Sequence, residues 1–554
     1  MQRSLSGFTI IFLFLAFTAS ANAQVTAQWT SVYNGVSSDT DEVADIAVDN
    51  SGFVYVTGFS KSSSSGKDIV TLKYDPQGNQ VWQAAYNNST ANGNDIPTSI
   101  LVDNTGNVYV TGKSEGAGSF YDIITVKYSP EGSELWNDRY NGEGNDVDCG
   151  NALDRDLLGN VIVAGYSVGA TSSEDFTTIK YSPAGTRLWI AKYNEPVEFD
   201  IDIATSLITD NFGNVYVAGY SNGFGTMEDI AVVKYDLSGN EMWVARYNGA
   251  GNSYDISTGI GLDPSYNIFV SGYSNSPSSA EDYLVLKIGP SGNIIWDRTF
   301  NGASGEYDIT CGLAVDASGN CTVSGYSFNT ASGEDFVTIK YDAGGAIAWR
   351  KEFNGASSSF DIATGIAQDN SGNVYITGYS YSENTYEDYA TVKYDANGNL
   401  QWTQMFNGTS GDADIANSIA VDAMNNVYVS GFSYEGSTGE DYITLKYSQT
   451  VGVEGNSTAI ASGFTLDQNY PNPFNPSTTI TYELPSSAKV LLEVFNSAGI
   501  MVRMLENARQ KPGTHSIVFN SAGLPSGAYY YRLTASDERS GISFSRTRKM
   551  LLIK

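Results

Sequence analysis

The sequence predicts an all-β protein: an eight-bladed β-propeller closed by an N-terminal strand, followed by a small Ig-like β-sandwich. The chain is rich in glycine (57) and tyrosine (37), which suit tight turns and half-buried strands. Its eight tryptophans recur every 53 or 54 residues, a period typical of propellers. Each interval holds four short strand-like segments separated by turn residues.

One repeat unit shows how these segments pair. In the copy that begins at residue 361 they read "DIATGIAQ", "NVYITGYS", "DYATVKYD" and "LQWTQMF". The turns "DNSGN" (369–373) and "DANGN" (395–399) join the first pair and the last pair, and both compositions favour tight hairpins. The other connections are longer and rich in Ser, Asn and Gly. The unit is therefore predicted to be a four-stranded antiparallel blade.

The blade number follows from a strand that is out of place. The first three strand types occur eight times, the last time at 414–447, without a tryptophan strand after them. That strand stands at the front as "AQWTSVY" (27–33), where it is predicted to complete blade eight and close the ring. A buried indole between blades contributes about 2–3 kcal/mol. The structural tryptophans are Trp29, Trp82, Trp136, Trp189, Trp243, Trp296, Trp349 and Trp402.

The N-terminus is predicted to be a signal peptide, residues 1–23. Arg3 precedes the apolar run "FTIIFLFLAF", and "ANA" at 21–23 supplies a small-x-small cleavage site. Because no other segment is apolar for long enough, the mature chain is expected to be exported without a transmembrane segment. The remaining boundaries are a propeller at 24–449, a linker at 450–464 and a second domain at 465–554.

Charge and composition exclude several function classes. The formal net charge is −31, and 54 of the 61 acidic residues lie in 24–450, whereas nucleic-acid binding needs clustered Lys and Arg. The single histidine, His515, lies outside the predicted propeller, which therefore holds no Ser-His-Asp or Cys-His pair and no histidine zinc site. No catalytic residue, metal ligand or cofactor is assigned, and the protein is interpreted as a non-enzyme.

The three cysteines are predicted to be small core residues, because a disulfide framework needs a larger and even number of cysteines. Cys149 and Cys311 accompany Cys321, which fills a position that other copies give to Val. If Val315 faces Cys321 across the turn, Cys311 should face Gly325.

Three Asp positions recur in every copy, and the second of them opens the first hairpin turn. A feature of every blade is predicted to serve the blade, with Asp bonding loop backbone. Calcium binding is the alternative, although no D-x-D-x-D spacing appears. Lys follows the third Asp by five positions, on the opposite face of the strand, so the two are not expected to pair. The first set is Asp41, Asp95, Asp148, Asp202, Asp255, Asp308, Asp361 and Asp414. The third set is Asp68, Asp122, Asp175, Asp229, Asp282, Asp335, Asp388 and Asp441.

The repeat D-x-x-x-x-K-Y-x-x-x-G-x-x-x-W, followed by "YNG" and D-x-x-G-N-V-Y-V-x-G-Y-S, resembles the bacterial SBBP-type β-propeller repeat over residues 29–447. The family name suggests seven blades, so the count of eight rests on the strands alone.

The C-terminal segments "NYPNPFNPSTTITYELP" (469–485), "LPSGAYYYRL" (524–533) and "RKMLLIK" (548–554) resemble the C-terminal sorting domain of proteins exported by the type IX secretion system. The resemblance implies the secretion machinery as a partner, and a secreted or outer-membrane surface location. An ordinary Ig-like adhesive module is the alternative. The predicted sorting residues are Lys549, Met550, Leu551, Leu552, Ile553 and Lys554.

Candidate ligand residues are sought where one copy departs from the repeat. Copy four carries the acidic stretch "NEPVEFDID" (194–202) in place of small residues. The longer connections gather on one side of the disk, where most second strands end in an aromatic residue, and aromatic rings beside carboxylates suit sugars or cations. Packing between blades is the other explanation for these rings. The predicted ligand-binding residues are Glu198, Asp200, Asp202, Tyr166, Tyr220 and Tyr273.

The sequence therefore favours a secreted or cell-surface binding or adhesion module, whose partner would be a polysaccharide or a surface protein. A carbohydrate-active enzyme using carboxylates and a purely structural surface protein remain as alternatives. Two carboxylates about 5–10 Å apart in a central pocket would favour the enzyme.

Overall fold

The computed structural model describes residues 25–35, 39–62, 64–194, 201–277, 279–357, 359–436, 438–449, 465–466, 468–469, 471–484, 488–496, 500–511, 513–521, 523–537 and 542–553. These residues form strands and no helix, which confirms the all-β prediction. In the same ranges, no helix could span a membrane. Contacts divide the chain into two compact units, 1–452 and 453–554. The predicted signal peptide and linker, together with Glu198, Asp200 and Lys554, lie outside the described residues.

The first unit contains, in its described part, eight four-stranded antiparallel sheets, which we number as blades in chain order. The N-terminal strand is β1 (Val25–Tyr33). Blades 1 to 4 consist of β2 (Asp41–Val48), β3 (Val54–Ser62), β4 (Gly66–Tyr74) and β5 (Gln80–Tyr86); β6 (Asp95–Val102), β7 (Val108–Glu115), β8 (Tyr121–Tyr128) and β9 (Glu134–Tyr140); β10 (Cys149–Arg155), β11 (Val161–Val168), β12 (Glu174–Tyr181) and β13 (Arg187–Tyr193); and β14 (Asp202–Thr209), β15 (Val215–Asn222), β16 (Glu228–Tyr235) and β17 (Glu241–Tyr247). Blades 5 to 8 consist of β18 (Asp255–Leu262), β19 (Ile268–Ser276), β20 (Ser279–Ile288) and β21 (Ile294–Phe300); β22 (Asp308–Val315), β23 (Cys321–Asn329), β24 (Gly333–Tyr341) and β25 (Ile347–Phe353); β26 (Asp361–Gln368), β27 (Val374–Ser382), β28 (Tyr386–Tyr394) and β29 (Leu400–Phe406); and β30 (Asp414–Val421), β31 (Val427–Tyr434) and β32 (Glu440–Gln449) with β1.

The hairpin turns form because the second conserved Asp binds its own turn. Asp369 Oδ1 accepts hydrogen bonds from the backbone N–H groups of Ser371 (2.9 Å) and Asn373 (3.0 Å), and Asp369 Oδ2 accepts one from the Asn373 side chain (2.7 Å). The buried Tyr375 hydroxyl donates to the same oxygen at 2.9 Å. Gly372 supplies the left-handed φ of +79° that the turn requires. Asp, Gly and Asn thus have separate roles in one turn.

The first strand of each blade contains a β-bulge three residues after the first conserved Asp. In blade 6 the bulge leaves Cys311 unpaired, so that Thr310 faces Gly325 and Gly312 faces Ser324. The prediction that Cys311 faces Gly325 is therefore wrong, because the bulge adds a residue that the sequence pattern does not reveal. Val315 does face Cys321, and all three cysteines are free thiols.

The ring closes between blades 8 and 1. Strand β1 pairs with β32 from Val25 opposite Gln449 to Tyr33 opposite Tyr442, as predicted for the N-terminal strand. The first strands of these blades also bond to each other, since the Ser418 hydroxyl donates to Asp45 Oδ1 at 2.9 Å. The first strands therefore lie side by side around the axis of the ring.

Tryptophan and lysine join neighbouring blades at one point. The Trp82 indole N–H of blade 1 donates to the Pro130 carbonyl of blade 2 at 2.9 Å, and Lys73 Nζ donates to the same oxygen at 3.0 Å. Six of the eight indoles are only half-buried, and Trp296 and Trp402 are the buried ones. The stabilisation expected for full burial therefore applies to two tryptophans. The other six donate their indole N–H to a carbonyl of the next blade and lie against its turn glycine, and in three of them a lysine shares that carbonyl.

The second unit has two facing sheets in its described part. One has the order β33 (Thr465–Leu466), β34 (Ser477–Leu484), β37 (Gly513–Asn520). The other has the order β36 (Met501–Gln510), β35 (Ala488–Asn496), β38 (Gly527–Asp537), β39 (Ile542–Leu552). Buried side chains of both sheets, such as Tyr482 and Leu533, share one core. The fourth strand of this unit, β36, pairs with the third strand, β35. In an immunoglobulin constant domain the fourth strand belongs instead to the sheet that contains the first two strands.

Candidate binding site on the loop face

The strand ends that the longer connections join lie on one side of the ring, which we call the loop face; the tight hairpins lie on the other, the turn face. This follows from the strand order, because antiparallel neighbours reverse direction at each connection. Near the loop face, Tyr220 lies two residues before the end of its strand, opposite Ile203 of the first strand. Four other blades place a tyrosine at the same register. We call these five residues of blades 3 to 7 the tyrosine arc: Tyr166, Tyr220, Tyr273, Tyr326 and Tyr379.

The arc is continuous from blade to blade. Its rings are half-buried, and burial raises the pKa of Tyr220 and of Tyr273. The hydroxyl of the next tyrosine along the arc also raises each pKa, and the tyrosines occupy the same register in successive blades. The sequence-predicted Tyr166, Tyr220 and Tyr273 therefore lie together, although they are 53 or 54 residues apart.

Glutamates line the arc on its loop side. In blade 4, Glu228 pairs with Asn222, two residues beyond Tyr220 on the same strand, so it lies diagonally beside the ring. Glu228 and Glu174 are the carboxylates that raise the Tyr220 pKa. Six blades carry a glutamate at this position, and all six glutamates are half-exposed. They are Glu174, Glu228, Glu281, Glu334, Glu387 and Glu440.

Blades 1 and 2 break this pattern with cations. Blade 1 has Phe59 at the arc position and Lys67 at the glutamate position, and the Lys67 ammonium lies 3.7 Å from the centre of the Phe59 ring. Blade 2 reverses the two, with Lys113 5.1 Å from the centre of the Tyr121 ring. The ring thus has an acidic, aromatic sector over blades 3 to 7 and a sector where the chain supplies its own cations.

Two further groups on the loop face were missed by sequence reasoning. Tyr307, which precedes the first Asp of blade 6, packs edge-on against Tyr326 with ring centres 6.4 Å apart and donates a hydrogen bond to Glu334. Phe360 lies 6.5 Å from Tyr379 in the same way. Between blades 5 and 6 there is a cavity of about 190 Å³, lined in part by Phe300, Asp335, Arg350 and Glu352. These residues widen the aromatic, polar surface beyond the arc.

Asp202 does not belong to this surface. Its side chain is completely buried, opposite Ser221, as are the other members of the first Asp set. In blade 5, Asp255 Oδ2 accepts the backbone N–H of Gly249 at 2.6 Å and so fixes the connection from blade 4. The same bond recurs from Gly355 to Asp361, at 2.6 Å. A ligand on the surface cannot reach Asp202, because its carboxylate is enclosed by the blade.

The third Asp set holds the other long connection. The Ser279 hydroxyl donates to Asp282 Oδ2 at 2.8 Å, and the same bond from the residue three positions earlier recurs in most blades. In blade 4 Arg246 adds a contact of 3.0 Å to Asp229. Within the described residues no group of three or more His, Cys, Asp or Glu side chains is placed to hold a metal ion. The Asp sets bond the loops in these positions, as expected for residues that serve each blade.

The buried Asp carboxyls predict an unusual pH dependence of stability. Burial raises the pKa of Asp148, Asp361 and Asp414 from 3.8 to about 6. Each group therefore binds its proton more tightly in the folded than in the unfolded chain, so the free energy of unfolding falls as pH rises through this range. We expect the melting temperature to increase from about pH 7.5 to about pH 5.

Below about pH 4 the trend should reverse, because turn carboxylates begin to protonate. Burial raises the pKa of Asp156, but hydrogen bonds from Asn160 and Lys180 outweigh that effect and lower it. Thermal melts across this range, with Asp361→Asn as the control that removes one titrating group, check the prediction. A melting temperature that rises steadily from pH 5 to 7.5 would contradict it.

Comparison with known proteins agrees with these features. A model of the β-propeller repeat, SBBP, matches residues 29–64, 88–118, 198–225 and 348–384, and a model of the secretion system C-terminal sorting domain matches residues 468–543. A WD repeat-containing protein of Acanthamoeba polyphaga mimivirus is 25% identical over 58% of this chain, and the chain spans 32% of that relative's length.

Two solved structures illustrate the more distant similarities. PorZ, a surface component of the type IX secretion system of Porphyromonas gingivalis, is 13% identical with a TM-score of 0.37, over 92% of this chain and 74% of that one. The WD40 domain of SCAP from fission yeast is 10% identical with a TM-score of 0.40, over 77% and 98%. The two matching family models are the informative findings. The chain carries SBBP-type β-propeller repeats followed by a type IX C-terminal sorting domain, and the protein is secreted or held at the cell surface.

Proposed function

We propose that this surface propeller is a binding module for adhesion, without catalytic activity, and that the tyrosine arc and its glutamates bind a ligand bearing cationic groups. The observation that carries the proposal is the Lys67 ammonium 3.7 Å above the Phe59 ring, because Phe59 occupies the arc register. In blade 1 the pair at this position is therefore an aromatic ring and a cation of the chain itself, whereas in blades 3 to 7 it is a tyrosine and a glutamate. A cation over an aromatic face contributes about 0.5–2 kcal/mol, depending on desolvation.

Repetition around the ring supports a polymeric ligand. Five successive blades offer the same pair, so a chain with regularly spaced amines could engage several pairs at once, and linked weak contacts raise the overall affinity. The net charge of −31 concentrates cations near the surface. An amine-bearing polysaccharide or a basic surface protein fits this chemistry, and both agree with the surface location.

The binding test uses two cationic probes, a glucosamine hexamer and hexalysine, with the N-acetylated hexamer and hexaglutamate as uncharged and anionic counterparts. We expect calorimetry to show binding of the cationic probes only, weakened as ionic strength increases. The variant Glu228→Gln/Glu281→Gln/Glu334→Gln should weaken binding at least tenfold, and Tyr220→Ala/Tyr273→Ala should do the same.

The matched control is Glu131→Gln/Glu134→Gln/Glu241→Gln, which removes three exposed carboxylates from the turn face and changes the net charge equally. It should change the affinity by less than about twofold, since charges far from the ligand are screened. Equal losses in both triple variants would show that only net charge matters and would refute the arc as a site. Turnover of a β-glycoside panel by the purified protein would instead favour the carbohydrate-active enzyme.

A further inference from the structure

The turn face carries apolar residues in three adjacent blades. Five of the eight first hairpins have Ser or Thr at the third turn position, as in "NS" at 50–51 and "NT" at 104–105. Blade 3 instead exposes Leu157 and Leu158, and blade 4 exposes Phe212, with 76%, 71% and 69% of their surfaces accessible. Large apolar side chains clustered on an exposed surface commonly mark an interaction site.

Blade 5 departs further, because it places a tyrosine where a glycine is needed. The fourth turn residue is Gly in six other copies, with φ between +77° and +83°, and Asn425 in blade 8. Tyr266 adopts φ +61° at this position. A bulky residue in the left-handed region costs on the order of 1–3 kcal/mol. The Tyr266 ring lies across the blade boundary, 5.4 Å from the centre of the Phe212 ring.

A cavity of about 430 Å³ lies beside this ring pair, between the turns of blades 4, 5 and 6. Its apolar lining comes from Ile208, Leu262 and Val315, and Tyr266 forms part of the wall. In blade 4, Leu237 packs against Gly213 of the first hairpin turn, where an added Cβ would come within 2.8 Å of Leu237 Cδ1. We call Leu157, Leu158, Phe212, Leu237 and Tyr266 the tip patch. The cavity is large enough for one aliphatic or aromatic side chain.

Charge identifies the kind of partner. The carboxylates of Asp210, Asp263 and Asp316 line the cavity, and Glu241 is exposed on the same face of a protein of net charge −31. A second copy of this chain, an anionic membrane and a nucleic acid would all be repelled. We propose that the tip patch docks a basic segment of another protein, which inserts an aliphatic or aromatic side chain between blades 4 and 5 with lysine or arginine on either side. This surface lies on the face opposite to the tyrosine arc.

The test measures binding of the full-length secreted protein to fluorescein-labelled heptapeptides, in which Lys-Lys-Gly and Gly-Lys-Lys flank Leu, Phe, Tyr, Trp or Ala. We expect anisotropy to detect at least one apolar-centred peptide and at least tenfold weaker binding of the alanine peptide. The variant Leu158→Ser/Phe212→Ser/Tyr266→Gly installs residues that other copies carry, so the turns retain their geometry. It should weaken binding at least tenfold and should not lower the melting temperature.

The control is Met424→Ser in blade 8, which occupies the third turn position like Phe212 and is equally exposed at 69%. It should leave the affinity unchanged. Because the tyrosine arc is itself proposed to bind cationic peptides, every protein in this series also carries Tyr220→Ala/Tyr273→Ala, so that the tip patch is the site measured. The proposal is overturned if no peptide of the series binds, if peptides with Glu in place of Lys bind equally well, or if Met424→Ser weakens binding as much as the triple variant. Self-association of the unmodified protein that the triple variant abolishes would instead assign the patch to a second copy.

Discussion

Deletion of residues 25–35 is expected to destabilise the propeller more than any single substitution in a blade. Strand β1 is the outermost strand of blade 8 and pairs with β32 from Val25 to Tyr33. Trp29 also donates to the Pro76 carbonyl of blade 1 at 3.1 Å, so the deletion removes part of a blade and part of the seam. At about 0.5–1.5 kcal/mol for each lost hydrogen bond, plus the apolar contacts of Tyr33, the loss is on the order of 5–10 kcal/mol.

The deletion should also promote aggregation, because β32 becomes an exposed edge. Thermal melts and light scattering measure both effects. The matched variants are Trp29→Ala and Trp136→Ala, which remove the same contact from the closing blade and from a continuous blade. The two should cost similar amounts, and each much less than the deletion. A synthetic peptide of residues 25–35 should bind the deleted protein and raise its melting temperature. A deletion no more costly than Trp29→Ala would contradict closure by β1.

Most of the fold could be predicted because the same turn residues recur in every copy of the repeat. Each "DNSGN"-type turn indicates where two strands pair, and the position of the Trp29 strand at the N-terminus indicates how the ring closes. The pairing register of neighbouring strands was harder to predict from the sequence. The bulge at Cys311 follows from how first strands bend around the axis, and no residue type marks it, since the bulged positions hold residues as different as Cys311 and Asn417. The burial of the tryptophans was overestimated for a similar reason, since a sequence does not show how far the rim opens to solvent.

The candidate site was predicted in part. Tyrosines at a fixed position of each copy could be expected to meet, because equal positions in a propeller lie at equal heights. The glutamates beside them are present in the same repeats, as "ED" at or near the start of the third strand, but no role was predicted for them. Asp202 was misjudged because its place beside the irregular acidic stretch of copy four was given more weight than its membership of the first Asp set, whose members were predicted to serve the blade. Tyr266 could have been found from sequence alone, since it stands where six copies have glycine.

The sorting domain leads to the second large effect. Strand β39 lies at the edge of its sheet, and its last residues alternate between core and solvent. Met550 and Leu552 are buried, whereas Leu551 and Ile553 are exposed at 37% and 49%. Removal of residues 548–554 is expected to abolish appearance outside the cell, with the protein retained in the periplasm. That result alone would be ambiguous, because loss of two buried side chains costs about 2–5 kcal/mol each and can unfold the domain.

The exposed residues separate recognition from folding. In Lys549→Ser/Leu551→Ser/Ile553→Ser the buried pair stays in place, so the domain should melt as before. The backbone of this segment is bonded within the domain, since the Phe474 N–H donates to the Leu551 carbonyl at 2.9 Å, so the variant alters only the exposed side chains that the secretion machinery would read. We expect this variant to accumulate in the periplasm as the truncation does, measured by immunoblots of cell fractions and medium. The matched control, Met550→Leu, changes the buried face with little change of volume and should be exported normally. Normal export of the triple variant together with failure of the truncation would show that the machinery requires a folded β39 and does not read its exposed side chains.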